Sequence, residues 1–88
     1  MPAAAPAAIT VRVLLFASYA EALGTDSVSL TVAGQATVAD AVAVLRSRPG
    51  GDRLPPKPLC ARNLAHAALT DRLADGDELA ILPPMAGG

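Results

Sequence analysis

Two short apolar runs, residues 9–16 (ITVRVLLF) and Glu78–Leu82 (ELAIL), stand near opposite ends of an 88-residue chain. In the first, Ile9, Val11, Val13 and Leu15 share one face, while the other face begins polar at Thr10 and Arg12 and turns apolar at Leu14 and Phe16. That pattern predicts a strand whose far half is covered on both sides, as in the middle of a sheet. The second run has the same character. A chain with such strands at its two ends is expected to pair them centrally and in parallel, so whatever lies between must form the connection.

The intervening elements follow from periodicity. Ala17–Leu23 is made of good helix formers and Gly24 supplies a stop. Residues 27–32 alternate Ser27, Ser29 and Thr31 with Val28, Leu30 and Val32, which predicts a second strand. Residues 38–48 are the clearest helix: Thr37 suits the N-cap, Asp40 completes a short capping box, and Val38, Ala41, Val42 and Leu45 make one apolar stripe. Arg46 and Arg48 suit the negative end of the helix dipole, and Pro49-Gly50-Gly51 ends it. The loop to Pro58 holds three further prolines and is expected to be the least ordered internal segment. Residues 59–64 and 65–69 are short strand candidates, and Ala74-Asp75-Gly76-Asp77 is a turn. Residues 1–8, with two prolines, read as a disordered extension, 9–83 as one domain and 84–88 as a flexible tail. The order predicts an α+β fold of the β-grasp, or ubiquitin-like, kind: a mixed sheet with one main helix across one face and a C-terminal Gly-Gly tail.

Composition narrows the function. Hydrophobic residues are 52% and charged residues 17%, which is unlike a disordered chain. Seven basic against eight acidic residues cannot neutralise many phosphates, and the two aromatics, Phe16 and Tyr19, offer no stacking platform; no nucleic-acid partner is expected. The single cysteine, Cys60, and single histidine, His66, do not make a disulfide or a metal site. With Arg12 interrupting the first apolar stretch and no run of membrane-spanning length, a soluble cytoplasmic protein without membrane or bound cofactor is expected.

The most informative residues are the last: Pro83-Pro84-Met85-Ala86-Gly87-Gly88. Tandem prolines lack the amide hydrogens of a sheet and favour an extended, stiff departure from it. The five residues from Pro84 to Gly88 reach about 17 Å when extended. Gly87 and Gly88 have no side chains and fit a narrow channel, and the special chemical group at the tip is the Gly88 α-carboxylate. A carboxylate must be activated before a nucleophile attacks it. As an acyl-adenylate it yields a thiocarboxylate with a sulfur donor, or an amide with an amine, and Gly88 as the last residue needs no trimming.

The chain resembles the small subunits of molybdopterin synthase, the MoaD-type sulfur carriers within the MoaD/ThiS ubiquitin-like family. The resemblance runs from about Val11 to Gly88. It rests on VLLFASYAEALGTD at residues 13–26, the helix core VADAVAVL, Asn63, and above all LADGDELAILPPMAGG at residues 73–88. The extension is longer than usual, and Ile81-Leu82 stand where aromatics are common. What the resemblance implies is a donor subunit that is no enzyme by itself. Gly88 would be adenylated by an E1-like activating enzyme using MgATP, then thiocarboxylated from a sulfur donor. The tail of Pro83, Pro84, Met85, Ala86 and Gly87 would insert into the large synthase subunit, within a heterotetramer. Sulfur would pass to cyclic pyranopterin monophosphate, forming the molybdopterin dithiolene. Leu82 and Met85 would face the partner.

Alternatives remain open at this level: sulfur delivery to thiamine, cysteine or tRNA thiolation, a ubiquitin-like modifier joined to lysines, or a passive interaction module. Cys60, flanked by Leu59 and Ala61, reads as a buried small hydrophobe rather than a sulfur relay. Asp75, Asp77 and Glu78 read as turn chemistry as much as a docking patch. Arg46, Arg48, Arg53 and Lys57 read as capping and solvated surface.

Overall fold

The computed structural model describes residues 7–84. Its element order is β1 (Ala8–Leu15), α1 (Ala17–Leu23), β2 (Ser27–Ala33), α2 (Val38–Arg46), a one-turn 3-10 helix (Gly51–Arg53), β3 (Leu59–Arg62), β4 (Ala65–Ala67) and β5 (Glu78–Leu82). The five strands form one sheet in the order β2-β1-β5-β3-β4. The two apolar runs are central and parallel, with Val13 across from Leu79 and Leu15 across from Ile81. All other pairings are antiparallel. This is the β-grasp, ubiquitin-like architecture expected from the element order.

Alternation along β1 sends Ile9, Val11, Val13 and Leu15 inward, all almost fully buried, against Leu30 and Val32 of β2 and Leu79 and Ile81 of β5. The stripe of α2 covers this face: Val38, Ala41, Val42 and Leu45 are buried in the same core. Its start is capped as predicted. The Asp40 amide donates to Thr37 Oγ1 at 3.3 Å, and the Thr37 amide donates to Asp40 Oδ2 at 2.9 Å. Two further amides at this end, Val38 and Ala39, donate to the carbonyls of Asp71 and Leu69, tying the strand-poor segment before β5 to the helix.

Four expectations change. Strand β1 is covered on one face only: Leu14 is half-buried and Phe16, past the strand, is 43% exposed, because both helices pack on the other side of the sheet. Helix α2 ends at Arg46, with Ser47 as its C-cap, so Arg48 lies outside it. The proline-rich loop is built rather than loose. Leu54 is 1% exposed within the core, and Arg46 Nε donates to its carbonyl at 2.9 Å. Gly50 has φ +83°, and a Cβ there would lie 1.9 Å from the Ala22 carbonyl oxygen, so this glycine lets the loop close on α1. Finally, β1 takes in Ala8, which pairs with Ala33; residues 1–6 of the expected extension lie outside the described residues.

Candidate functional site

Strand β5 is hydrogen-bonded on both sides, to β1 and to β3, and leads directly to Pro83 and Pro84. Its two ends are treated in opposite ways. The start is clamped. Gly76 and Arg12 amides donate to the carbonyls of Thr10 and Asp77, and the Thr10 amide donates to Asp75 Oδ1 at 2.7 Å, so the Asp-Gly turn is fastened to β1.

Asp77 is at the centre of the second half of this clamp. It is 8% exposed, and its carboxylate accepts from the Ala74 amide at 2.8 Å and from Asn63 Nδ2 at 2.9 Å. Arg62 adds an ion pair at 3.4 Å. Burial pushes the Asp77 carboxyl upward, but the hydrogen bonds from Ala74, Asn63 and Arg62 and the Arg62 charge outweigh it, leaving the group below its usual value. Asn63 returns its own oxygen to the Glu78 amide at 2.9 Å, and its amide donates to the Glu78 carbonyl at 2.8 Å. Asn63 therefore belongs to the turn between β3 and β4, with φ +50°, and not to the strand itself. Asp77 is structural, and Asp75 is engaged by a backbone amide; the acidic residues of the turn do not form a free patch.

The other end of β5 is open. Pro83 is half-buried and Pro84 exposed. A cleft of about 160 Å³ borders this tail root, lined by Tyr19, Pro55, Lys57, Pro58, Leu59, Leu82 and Pro84. From it an apolar strip runs along the helix-free face of the sheet: Leu59 lies across from Leu82, Ala61 across from Ala80, and Ala80 across from Leu14. Leu59 is 51% exposed and Leu82 half-buried. Leu82 is thus placed at the tail root, on the accessible face, where a partner can reach it. Met85, Ala86, Gly87 and Gly88 lie outside the described residues.

The remaining reactive side chains are uninvolved. Cys60 is buried, its thiol donates to the Pro58 carbonyl at 3.6 Å, and burial pushes it up to about 11, so it stays protonated and unreactive. His66 is exposed on β4 across from Ala61. Among the described residues there is no group of three metal-ligating side chains, and no helix is long and apolar enough to cross a membrane. Tyr19 and Lys57 were not singled out for the tail root by sequence. The signal that was available for Tyr19 is its place as the one aromatic of α1; for Lys57, which lies ahead of β3, the sequence carried none.

Comparison with known proteins agrees with this geometry. The model of the ThiS family matches residues 13–88. The small archaeal modifier protein 1 of Haloferax volcanii is 42% identical over 83 residues, spanning 84% of this chain and 95% of its own. A crystal structure of that protein superposes with a TM-score of 0.78 at 35% identity, covering 90% of this chain and 99% of the other. Two more distant structures share the fold. One is the complex of subunits 1 and 2 of the molybdopterin-converting factor from Helicobacter pylori, at 22% identity, TM-score 0.67, and 91% and 100% coverage of this chain and that one. The other is the ubiquitin of Caldiarchaeum subterraneum, at 20% identity, TM-score 0.63, and 92% and 99% coverage. A mixed β-grasp sheet whose last strand leads into Pro-Pro, in a chain matched over most of its length, makes this chain a member of the ThiS family, the ThiS/MoaD-type ubiquitin-like sulfur carriers and modifiers.

Proposed function

We propose that the chain is a cytoplasmic sulfur-donor subunit of molybdopterin synthase, working through the carbonyl of Gly88. A carboxylate oxygen of Gly88 attacks the α-phosphate of MgATP in the active site of an E1-like activating enzyme, releasing pyrophosphate and leaving an acyl-adenylate. The terminal sulfur of a persulfide donor then displaces AMP to give an acyl disulfide, a thiol attacks the donor-side sulfur and takes it up as a new disulfide, and the thiocarboxylate so released delivers its sulfur to cyclic pyranopterin monophosphate held by the large subunit. The chain itself supplies a reactive terminus and a body that holds it.

The observation that supports this reading is the treatment of β5: clamped at its start by Asp77 and Asn63, freed at its end by two prolines, and flanked there by an accessible apolar face. A rigid strand fixes the root of the tail, and the tip can extend about 17 Å beyond it. The face bearing Leu59, Ala80 and Leu82 suits burial against the large subunit. The Helicobacter pylori relative, solved as a complex of subunits 1 and 2, has the same fold.

A second reading is favoured by a specific comparison: the Haloferax relative is called a modifier. In that case an amine takes the place of the sulfur nucleophile, and Gly88 ends in an amide. Both readings share the activation step. Incubation with an activating enzyme, MgATP and a sulfur source, followed by intact mass, separates them. Exchange of one oxygen for sulfur identifies a carrier, and ladders on other proteins identify a modifier. Charged protein that then restores conversion of the pterin precursor by purified large subunit establishes the pathway, and removal of Gly88 abolishes it with the fold intact.

A further inference from the structure

We propose that the cleft at the tail root is a socket for one carboxylate side chain, an aspartate or glutamate, of the large synthase subunit. This rests on the reading that the chain serves that subunit, and it names what the subunit must present beside the tail. The cleft, about 160 Å³, is well below the roughly 300–1,000 Å³ of a small-molecule pocket and suits a single side chain. Its walls are apolar: Pro55, Pro58 and Pro84 with Leu59 and Leu82. Proline rings bring no amide hydrogen, so the side chains there that can hydrogen-bond are Tyr19 and Lys57. Tyr19 is 6% exposed, which holds its ring in the core. Its hydroxyl engages no group among the described residues, yet no buried polar side-chain atom there is left unpartnered, so the hydroxyl is the part that meets the cleft. Lys57 is exposed, and the ion pair that forms among the described residues is Arg62 with Asp77, at the other end of β5.

The chemistry of the two groups selects the occupant. An ammonium has three donors and no acceptor, and a phenol can donate as well, so the group between them must accept hydrogen bonds and carry negative charge. A carboxylate does both with its two oxygens. Apolar walls lower the local dielectric, so the pair is stronger here than on open surface. The surrounding charge has the same sign. Residues 46–57 carry Arg46, Arg48, Arg53 and Lys57 against Asp52, although the whole chain has a net charge of −1. Glu21 of α1 and Asp52 form no ion pair with these cations among the described residues. Prolines at 55, 56 and 58 restrict the backbone around Lys57, so less ordering is needed on binding. Position selects a protein carboxylate over a free anion. Leu59 and Leu82 belong both to the cleft and to the apolar strip on the helix-free face, so a chain buried against the strip covers the cleft as well.

Zero-length coupling with a water-soluble carbodiimide tests this cleanly, because Lys57 is the one lysine in the sequence. The reagent activates a carboxylate, the ε-amine displaces the urea, and an amide forms with loss of one water where the two groups touch. The full-length chain mixed with purified large subunit should give a heterodimeric product that fragmentation maps to Lys57 and an Asp or Glu of the subunit. Lys57→Met keeps the length of the side chain and removes its charge; it should lose that product and weaken binding in calorimetry about tenfold or more. Tyr19→Phe should weaken binding several-fold, and the double variant by less than the product of the two, since both donors serve one carboxylate. The affinity of the unsubstituted chain should fall from about 50 to about 500 mM NaCl, and the fall should flatten in Lys57→Met. Both variants should melt with the parent, because Lys57 is exposed and the Tyr19 ring stays in place. Unchanged affinity in Lys57→Met overturns the proposal, as does a product mapped to the α-amine of Met1 alone. Lys57 coupled to a second copy of the chain, with the subunit present, overturns it in favour of self-association. Complex formation tests the underlying reading separately: a complex with none of these effects rejects the socket only, whereas no complex rejects both.

Discussion

Removing the carboxylate of Asp77 should unfasten the start of β5 and destabilise the whole domain. The side chain satisfies the Ala74 amide at 2.8 Å and Asn63 Nδ2 at 2.9 Å, with Arg62 at 3.4 Å. A hydrogen bond to a charged group contributes about 1.5–3 kcal/mol and an ordinary one about 0.5–1.5 kcal/mol. The Arg62 pair is long and Arg62 is half-exposed, so it adds less than about 1 kcal/mol. Ala74 and Asn63 are themselves exposed and recover part of the loss from water. Asp77→Ala should therefore cost about 2–4 kcal/mol, a fall in Tm of roughly 10–25 °C for a domain of this size.

The pH dependence identifies the cause. The folded carboxyl titrates below its unfolded value, so its contribution is fully present above the ordinary aspartate range near pH 4 and is lost as pH falls through the lower folded value. Thermal melts by circular dichroism should thus show a wide gap between the unsubstituted chain and Asp77→Ala at pH 7 that narrows steadily below pH 4. A gap of only a few degrees at neutral pH, or one of equal width at pH 7 and pH 2.5, would refute the assignment of Asp77 as an ionised clamp.

Three further outcomes follow from other parts of the fold. Gly50→Ala puts a methyl group 1.9 Å from the Ala22 carbonyl oxygen at a backbone φ of +83°, so it should lower the urea midpoint by more than Gly24→Ala, where a Cβ meets nothing within 4 Å. Cys60 should resist iodoacetamide at pH 7.5 in the folded chain and react fully in urea, since burial holds the thiol near 11, and Cys60→Ala should still accept sulfur. Leu82→Asp should weaken binding to the large synthase subunit by tenfold or more in calorimetry, a loss of about 1.4 kcal/mol or above, with a melt close to that of the parent because Leu82 faces away from the core.

Much of this was legible from the sequence where a local pattern and the tertiary environment demand the same residues. Val38, Ala41, Val42 and Leu45 repeat with the helical period and all four are buried, and Thr37 with Asp40 forms the capping box that their spacing suggests. The parallel pairing of β1 with β5 was readable because both are apolar on the inward face. The misreadings share one cause, which is that adjacency along the chain hides adjacency in space. Leu14 and Phe16 look buried because they are apolar, yet the helices pack on the opposite side of the sheet and leave them toward solvent. The proline-rich loop looks loose because prolines break regular structure, yet Leu54 is anchored in the core and Gly50 is pressed against Ala22 of α1, 28 residues away in sequence. Asn63 looks like a strand residue, yet its tolerance of positive φ places it in the turn from which it reaches Asp77 and Glu78.

The prolines also explain why the tail root separates from the sheet. The pairing of β3 with β5 stops at Leu59 and Leu82, and the next residues outward are Pro58 on one side and Pro83 and Pro84 on the other. A ladder extending through these positions would find no amide hydrogen on Pro58, Pro83 or Pro84, and Pro55 and Pro56 remove two more just upstream. Backbone pairing therefore ends at Leu59 and Leu82 from both sides at once. Proline on one strand alone would leave amides on the other free to recruit a different strand, a route to edge-to-edge association. Proline on both withdraws the donors together, so the cleft at the tail root is bounded by rigid rings and by the side chains of Tyr19, Lys57, Leu59 and Leu82 rather than by a sticky backbone edge. A partner that binds here must read those side chains, which makes the root of the tail a place where specificity can reside apart from the chemistry at its tip.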